Sequence, residues 1–170
     1  DLGTNTFQLL ISPKNEFQVL DQLQRPVGLG MGAMEKVTLQ EDAMDRAFVC
    51  LKEFSDLFMA KGGDLSDFRA IGTSIIRRAS NADAFIQRVK KELGIQIQVI
   101  DGMQEAEYIY SGIRNSLPGR WEKTSLVMDI GGGSTEFAIG VDFQPIKLAS
   151  RNMGCVSYAK QFFARGRISD

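Results

Sequence analysis

The sequence predicts an α/β protein assembled from two copies of one β-β-β-α-β-α-β-α unit, the second copy incomplete. Three observations carry this. Stretches with strand periodicity and stretches with helical periodicity alternate along the whole chain. The order of three strands and a helix that opens the chain starts again after residue 122. An acid-aliphatic-glycine string at Asp1 also recurs 128 positions later at Asp129, each time leading into a strand. The expected division is a first lobe over 1–122 and the start of a second over 123–170.

Taken in order, Leu9-Leu10-Ile11 ends a first strand, Pro13-Lys14-Asn15 turns the chain, and 17–23 forms a second strand. A third is expected over 26–29, short and at an edge because proline donates nothing to a ladder. Thr38 and Glu41 have the spacing of a capping box. From there Met44, Ala47, Phe48, Leu51, Phe54 and Phe58 recur at three- and four-residue steps until Gly62-Gly63, which is a long amphipathic helix with a glycine stop. A strand over 68–72, a helix over 83–93 ended by Gly94, and a strand over 95–100 follow. Asp101 caps a helix that runs to about Asn115, with Gln104 three residues on. The stretch 118–123 is polar and turn-rich. Beyond it, strands over 126–130, 135–141 and 145–150 precede a helix over 155–165.

Composition removes whole classes of chemistry. With 20 Lys+Arg against 21 Asp+Glu the net charge is -1, which argues against a nucleic-acid binder held by phosphate contacts. There is no histidine, so Ser-His-Asp and Cys-His triads, phosphohistidine chemistry and His-ligated metals are excluded within the chain. Two cysteines, Cys50 and Cys155, build neither a four-cysteine metal site nor a disulfide framework, as expected of a reduced, cytoplasmic protein. No apolar run approaches the roughly 20 residues of a membrane span, and no signal peptide opens the chain. The chain starts mid-motif without an initiator Met and reads as a fragment of a longer protein.

The recurring strings carry the chemistry. Asp1-Leu2-Gly3-Thr4-Asn5-Thr6 and Asp129-Ile130-Gly131-Gly132-Gly133-Ser134 both read acid, aliphatic, glycine, two small or polar residues, hydroxyl. Either alone is equally well a tight hairpin. As a pair in register with a repeated strand order, they predict two phosphate loops facing across a cleft. Glycines let the backbone approach a phosphate with its N–H groups inward, the hydroxyls add donors, and a strand-end aspartate holds a divalent cation directly or through water. The string Gly28-Leu29-Gly30-Met31-Gly32-Ala33 satisfies a dinucleotide-fold pattern but opens no helix, because the helix waits for Thr38, so that reading is rejected.

Three further positions stand out. Glu105 lies in a first helical turn beside the face of Ala106, Ile109 and Ile113, with Glu107, Ser111 and Arg114 marking the solvent side. Desolvation there suits a general base, whereas the plain alternative is a carboxylate stabilising a helix N-terminus. Glu136 shares a strand face with Ala138 and is either solvent-facing on an edge or turned into the cleft beside Asp129. Arg77 and Arg78 follow Thr73-Ser74-Ile75-Ile76, where a loop aims a guanidinium at phosphate or merely carries a solvated charge pair.

Together these residues resemble the exopolyphosphatase and guanosine-pentaphosphate phosphohydrolase family (Ppx/GppA) of the actin, hexokinase and Hsp70-like superfamily, over essentially the whole chain. Asp1 to Phe7 resembles the first phosphate loop of that family and Asp129 to Glu136 its second. Gly72-Thr73-Ser74-Ile75-Ile76-Arg77 resembles the segment ending in a phosphate-contacting arginine, and Ile100 to Ala106 the segment with paired acids before alanine. The resemblance implies duplicated ribonuclease H-like, actin-like ATPase lobes. It implies hydrolysis of a terminal phosphoanhydride, in polyphosphate or in the stringent-response nucleotide guanosine pentaphosphate, by direct attack of water. Glu105 maps to the proposed base and Arg77 to the phosphate-contacting arginine. Gly3, Thr4, Asn5, Thr6, Gly131, Gly132, Gly133 and Ser134 map to phosphate binding, and Asp129, Glu136 and Asp1 to a Mg²⁺ site. A homodimer through the full-length protein, with no nucleic-acid or membrane partner, completes the expectation.

Two departures bear on substrate preference: Gln104 replaces the first acid of the pair, and Gln8 stands where many members have histidine. The near-neutral charge implies that positive potential for a polyphosphate chain is either local, near Arg77, Arg78 and Arg151, or contributed by a further C-terminal part. Two rival readings share the loops. One is a superfamily kinase or ATPase, and the other a non-catalytic binder of guanosine tetra- or pentaphosphate.

Overall fold

The computed structural model describes residues 1–14, 16, 18–32, 37–117 and 123–163. The chain forms two compact units, Asp1–Ile100 and Asp101–Asp170.

In the first unit, β1 (Thr6–Ile11) and β2 (Asp21–Pro26) form an antiparallel hairpin with Leu9 opposite Leu23. β1 alternates strictly, burying Phe7, Leu9 and Ile11, because successive side chains leave opposite faces of a strand. Leu2 bridges this hairpin to β3 (Ala70–Gly72), pairing antiparallel with Phe7 and parallel with Gly72. β4 (Ile97–Val99) then adds parallel to β3. The expected third strand over 26–29 does not form. β2 closes at Pro26, and Val27 and Gly28 donate instead to the Asn5 carbonyl, at 2.9 and 2.8 Å.

The long helix is α1 (Glu41–Ala60), burying Ala43, Met44, Ala47, Cys50, Leu51 and Phe54 at helical spacing. Its start differs from expectation. Gln40 is the N-cap, no side chain caps it, and the Thr38 hydroxyl lies against Ser80 at 3.2 Å. The approach to the helix is fixed from a distance: Asn81 accepts from Leu39 N–H at 2.8 Å and donates to Leu39 C=O at 3.0 Å. Gly62, at φ 88°, turns the chain away after the helix. A one-turn 3-10 segment, Leu65–Asp67, leads into β3. Next come the short α2 (Ser74–Arg78) and α3 (Ala82–Leu93), whose Phe85 and Val89 join the core and whose end is Gly94 at φ 70°.

In the second unit α4 (Gly102–Ser116) starts on the expected box. Asp101 accepts from Met103 and Gln104 N–H, and the Gln104 side chain returns to Asp101 N–H. The sheet is antiparallel with β6 (Thr135–Val141) central between β5 (Ser125–Ile130) and β7 (Gln144–Arg151), and α5 (Cys155–Phe162) follows. α4 lies on one face of this sheet, where Tyr110, Val127 and Ala138 form the core. The sequence reading counted this helix in the first lobe, with a boundary at 122; the compact units divide at Ile100 because its apolar face is spent on β5–β7. Arg114, expected on the solvent side, is buried. It reaches Asp142 Oδ1 at 2.6 Å, and its guanidinium carbon stands 4.2 Å from the centre of the Phe143 ring. The turn-rich stretch 118–122 and the last part of the expected final helix lie outside the described residues.

Candidate functional site

The two glycine strings fold into the same turn. Gly3 N–H donates to the Thr6 carbonyl at 3.2 Å, and Gly131 N–H donates to the Ser134 carbonyl at 2.9 Å. A Cβ at Gly3 would stand 2.8 Å from Thr6 O, and one at Gly131 would stand 3.1 Å from Ser134 O, so both turns crowd any side chain there. The pairing next to each turn also repeats. Leu2 faces Phe7 as Ile130 faces Thr135, and Asp1 exchanges both backbone hydrogen bonds with Gln8 where Asp129 faces Glu136. The 128-residue repeat seen in the sequence is thus a repeat of backbone geometry.

The acids differ between the copies. Residues directly opposite in an antiparallel pair project from the same face, so Asp129 and Glu136 form one cross-strand carboxylate pair. In the first copy the position opposite Asp1 is Gln8, an amide. Glu136 is 2% exposed on the central strand, which settles its placement: it is interior, not on an edge. Its Oε1 accepts from the Ser150 hydroxyl at 2.8 Å, and no ion pair reaches it among the described residues. Taking a carboxylate from water without a cation is costly. A divalent cation on the Asp129–Glu136 pair fits that environment, because Mg²⁺ needs only one or two carboxylates and completes its shell with water and phosphate oxygens. Among the described residues no group of three or more Asp, Glu or Cys gathers as a metal cage.

Thr4 and Thr6 are half-buried, Asn5 is exposed, and Ser134 is buried at 2%. Thr73, named in the sequence only as part of the segment before Arg77, ties the end of β3 to the first turn: its N–H and hydroxyl both approach the Leu2 carbonyl, at 3.5 and 3.4 Å. Arg77 lies on α2, not on a loop. Its Nη1 donates to the Ile100 carbonyl at 2.7 Å, which anchors the half-buried side chain at the C-terminal end of β4. Arg78 is exposed. Just before them Ser74 is 3% exposed, and its hydroxyl is a buried side-chain atom without a hydrogen-bond partner. Glu105 stands in the first turn of α4, half-buried, with its N–H bonded to the Asp101 carbonyl at 3.0 Å. Asp1 is exposed at the head of the first turn, and Arg151 is exposed at the end of β7. Ser150 carried no sequence signal, and Thr73 was read only as part of the segment before Arg77, since the contacts of both depend on which strands lie beside them.

Known proteins resemble this chain in sequence and in fold. The model of the Ppx/GppA phosphatase family matches residues 10–170. A Haemophilus influenzae protein named "Putative exopolyphosphatase" is 40% identical over 171 residues, covering 99% of this chain and 52% of that protein. The crystal structure of an exopolyphosphatase from Cytophaga hutchinsonii is 40% identical with a TM-score of 0.87, over 94% of this chain and 51% of that one. The Aquifex aeolicus Ppx/GppA family member is 31% identical with a TM-score of 0.78, over 95% of this chain and 52% of that one. The ethanolamine utilization protein EutJ from Carboxydothermus hydrogenoformans, 15% identical with a TM-score of 0.56, shares the fold. The chain therefore spans about half the length of the relatives it matches and has the actin-like α/β fold with its second lobe incomplete. No described helix is long and apolar enough to cross a membrane. On its sequence and its fold together, the chain belongs to the Ppx/GppA phosphatase family.

Proposed function

We propose that the complete protein hydrolyses the terminal phosphoanhydride of inorganic polyphosphate by attack of water, with guanosine pentaphosphate as a second substrate of the same chemistry. The observation that carries this reading is the pair of turns with one hydrogen-bond pattern, the second beside a cross-strand carboxylate pair of which Glu136 is buried and Asp129 exposed. Phosphoryl transfer asks a protein mainly for positioning and charge neutralisation. Backbone N–H groups at 3–6 and 131–134, the Thr4 and Thr6 hydroxyls and the Arg77 guanidinium supply donors to phosphate oxygens. Asp129 and Glu136 would hold Mg²⁺, which when bound would withdraw charge from the phosphoryl group. Glu105 would orient the attacking water and accept its proton; the water oxygen bonds to the terminal phosphorus, and the bridging P–O bond breaks with its electron pair staying on the shortened polyphosphate or on guanosine tetraphosphate. No covalent intermediate is needed in a chain without histidine.

Phosphate release by the complete protein, measured with polyphosphate and with guanosine pentaphosphate, with and without Mg²⁺, tests this. The expected result is Mg²⁺-dependent release that Asp129→Ala abolishes. Full Mg²⁺-dependent turnover in Asp129→Ala refutes the metal assignment. ATP consumption that requires an acceptor would show a kinase instead, and tight guanosine tetraphosphate binding without release a regulator.

A further inference from the structure

Each glycine turn is held from behind through its carbonyls. In the first unit Thr4 C=O accepts from Gly30 N–H at 2.8 Å, and Asn5 C=O accepts from Val27 and Gly28 N–H at 2.9 and 2.8 Å. In the second, Gly131 C=O accepts from Cys155 N–H at 2.9 Å, and Gly132 C=O accepts from Val156 and Ser157 N–H at 3.1 and 3.2 Å. Two consecutive turn carbonyls are therefore bonded in each unit, one by a single amide and the next by two, although at the 128-residue offset the bonded pair of the second unit lies one position earlier than that of the first. The donors come from dissimilar segments: an irregular stretch after β2 in one case, the first turn of α5 in the other.

We propose that segments 27–30 and 154–157 are positioning elements that aim the turn amides at an anionic phosphoryl group; this rests on the phosphohydrolase reading above. The argument is one of peptide geometry. In a trans peptide the C=O and the following N–H point in opposite directions. Fixing the carbonyls of Thr4 and Asn5 therefore turns the N–H groups of Asn5 and Thr6 away from segment 27–30. In the same way, fixing those of Gly131 and Gly132 turns the N–H groups of Gly132 and Gly133 away from α5. A hydrogen bond to a carbonyl also polarises its peptide group and strengthens the attached N–H as a donor. Carbonyl oxygens, which repel phosphate, are at the same time occupied on the far side.

Close approach of the two backbones explains the glycines. A Cβ at Gly30 would lie 2.4 Å from the Thr4 methyl, Cγ2, and one at Gly154 would lie 2.4 Å from Gly132 C and O. Gly28, at φ 63°, lets its N–H follow that of Val27 to the same acceptor. The glycine string after β2 that resembled a dinucleotide motif thus serves the first turn as a backing.

The experiment uses the complete protein with polyphosphate as ligand, measuring affinity, KM and kcat, thermal midpoint and amide hydrogen exchange. Gly30→Ala is expected to raise KM about ten-fold or more, since displacing bound groups by about an ångström carries such penalties, and to accelerate exchange at the Gly28 amide. Thr4→Ser removes the methyl that the new Cβ meets, so in that background the same change should cost no more than about three-fold. Cys155→Pro is the second variant. Proline suits the first position of a helix but cannot donate to Gly131, so α5 survives while that bond is lost. It should weaken polyphosphate binding several-fold at an unchanged thermal midpoint. Faster exchange with unchanged affinity in Gly30→Ala, or undiminished binding in Cys155→Pro, overturns the proposal while leaving the phosphohydrolase reading intact. Wild-type protein that binds no polyphosphate overturns that reading, and with it the purpose assigned to the bonded carbonyls.

Discussion

Glu105 and Cys50 show how far single side chains can be read. Glu105 is half-buried in a turn whose cap is made by Asp101 and Gln104 without use of the Glu105 side chain. Glu105→Gln should therefore keep the thermal midpoint and polyphosphate binding while lowering turnover by about 10² or more, the scale of a lost general base. Turnover within a few-fold of wild type would move the base to another group, and a collapse in thermal midpoint would reduce Glu105 to a helix stabiliser. Cys50 offers a pH test. Burial, with the Glu53 charge adding, pushes its thiol from the ordinary 9.0 up to about 11. The folded state thus keeps a proton that the unfolded chain releases first. Cys50 therefore contributes full stability below pH about 9 and loses it progressively between pH 9 and 11. Denaturant melts across that window should show a decline that Cys50→Ala lacks. At pH 8 a thiol reagent should modify exposed Cys155 and spare Cys50.

Elements were legible where their signals are local. The helical spacing from Met44, the Asp101 box, Gly94 as a stop and the β5–β6–β7 order could all be read, because each depends on residues within a turn or a strand pair. What could not be read depends on distant partners. Segment 26–29 has strand composition, yet the Asn5 carbonyl claims its amides. The spacing of Thr38 and Glu41 suggests a cap, but Asn81, 42 positions beyond Leu39, takes the backbone there. Likewise the choice of edge or interior for Glu136 follows from β7 pairing beyond β6. These facts rank two substitutions that sequence alone would order the other way. Asn81→Ala leaves two backbone groups of the buried Leu39 without partners and should cost about 1–3 kcal/mol. Thr38→Ala removes one hydroxyl contact at a half-buried site, leaves no backbone group without its partner and should cost less than about 0.5 kcal/mol. Urea midpoints of the two variants decide the order, and a larger loss in Thr38→Ala would restore the capping box.

At the scale of the whole molecule, α4 covers one face of the second unit's sheet, and among the described residues the other face presents exposed apolar side chains. Register sorts its residues: Val127 with Ala138 and Asp129 with Glu136 share the side of α4, while Leu126 with Ile139 and Met128 with Phe137 share the other. On that other side Leu126, Met128 and Ile130 are 62%, 53% and 60% exposed. Contiguous apolar surface of this kind is uncommon on soluble monomers and drives association. The relatives are about twice as long as this chain, so the complete protein and residues 1–170 alone are different objects for this test. For residues 1–170 alone, the open face is predicted to bind an apolar fluorescent dye and to bring two copies together at micromolar concentration. Sedimentation velocity gives the readout. A Leu126→Lys, Met128→Lys double variant should stay monomeric and lose dye binding, because both changes lie on the solvent side of β5 and leave the Tyr110–Val127–Ala138 core untouched. The complete protein should bind less dye than residues 1–170 at equal molarity. A wild-type 170-residue chain that sediments as a monomer and binds no dye would mean that the sheet face is not the association surface its exposure implies.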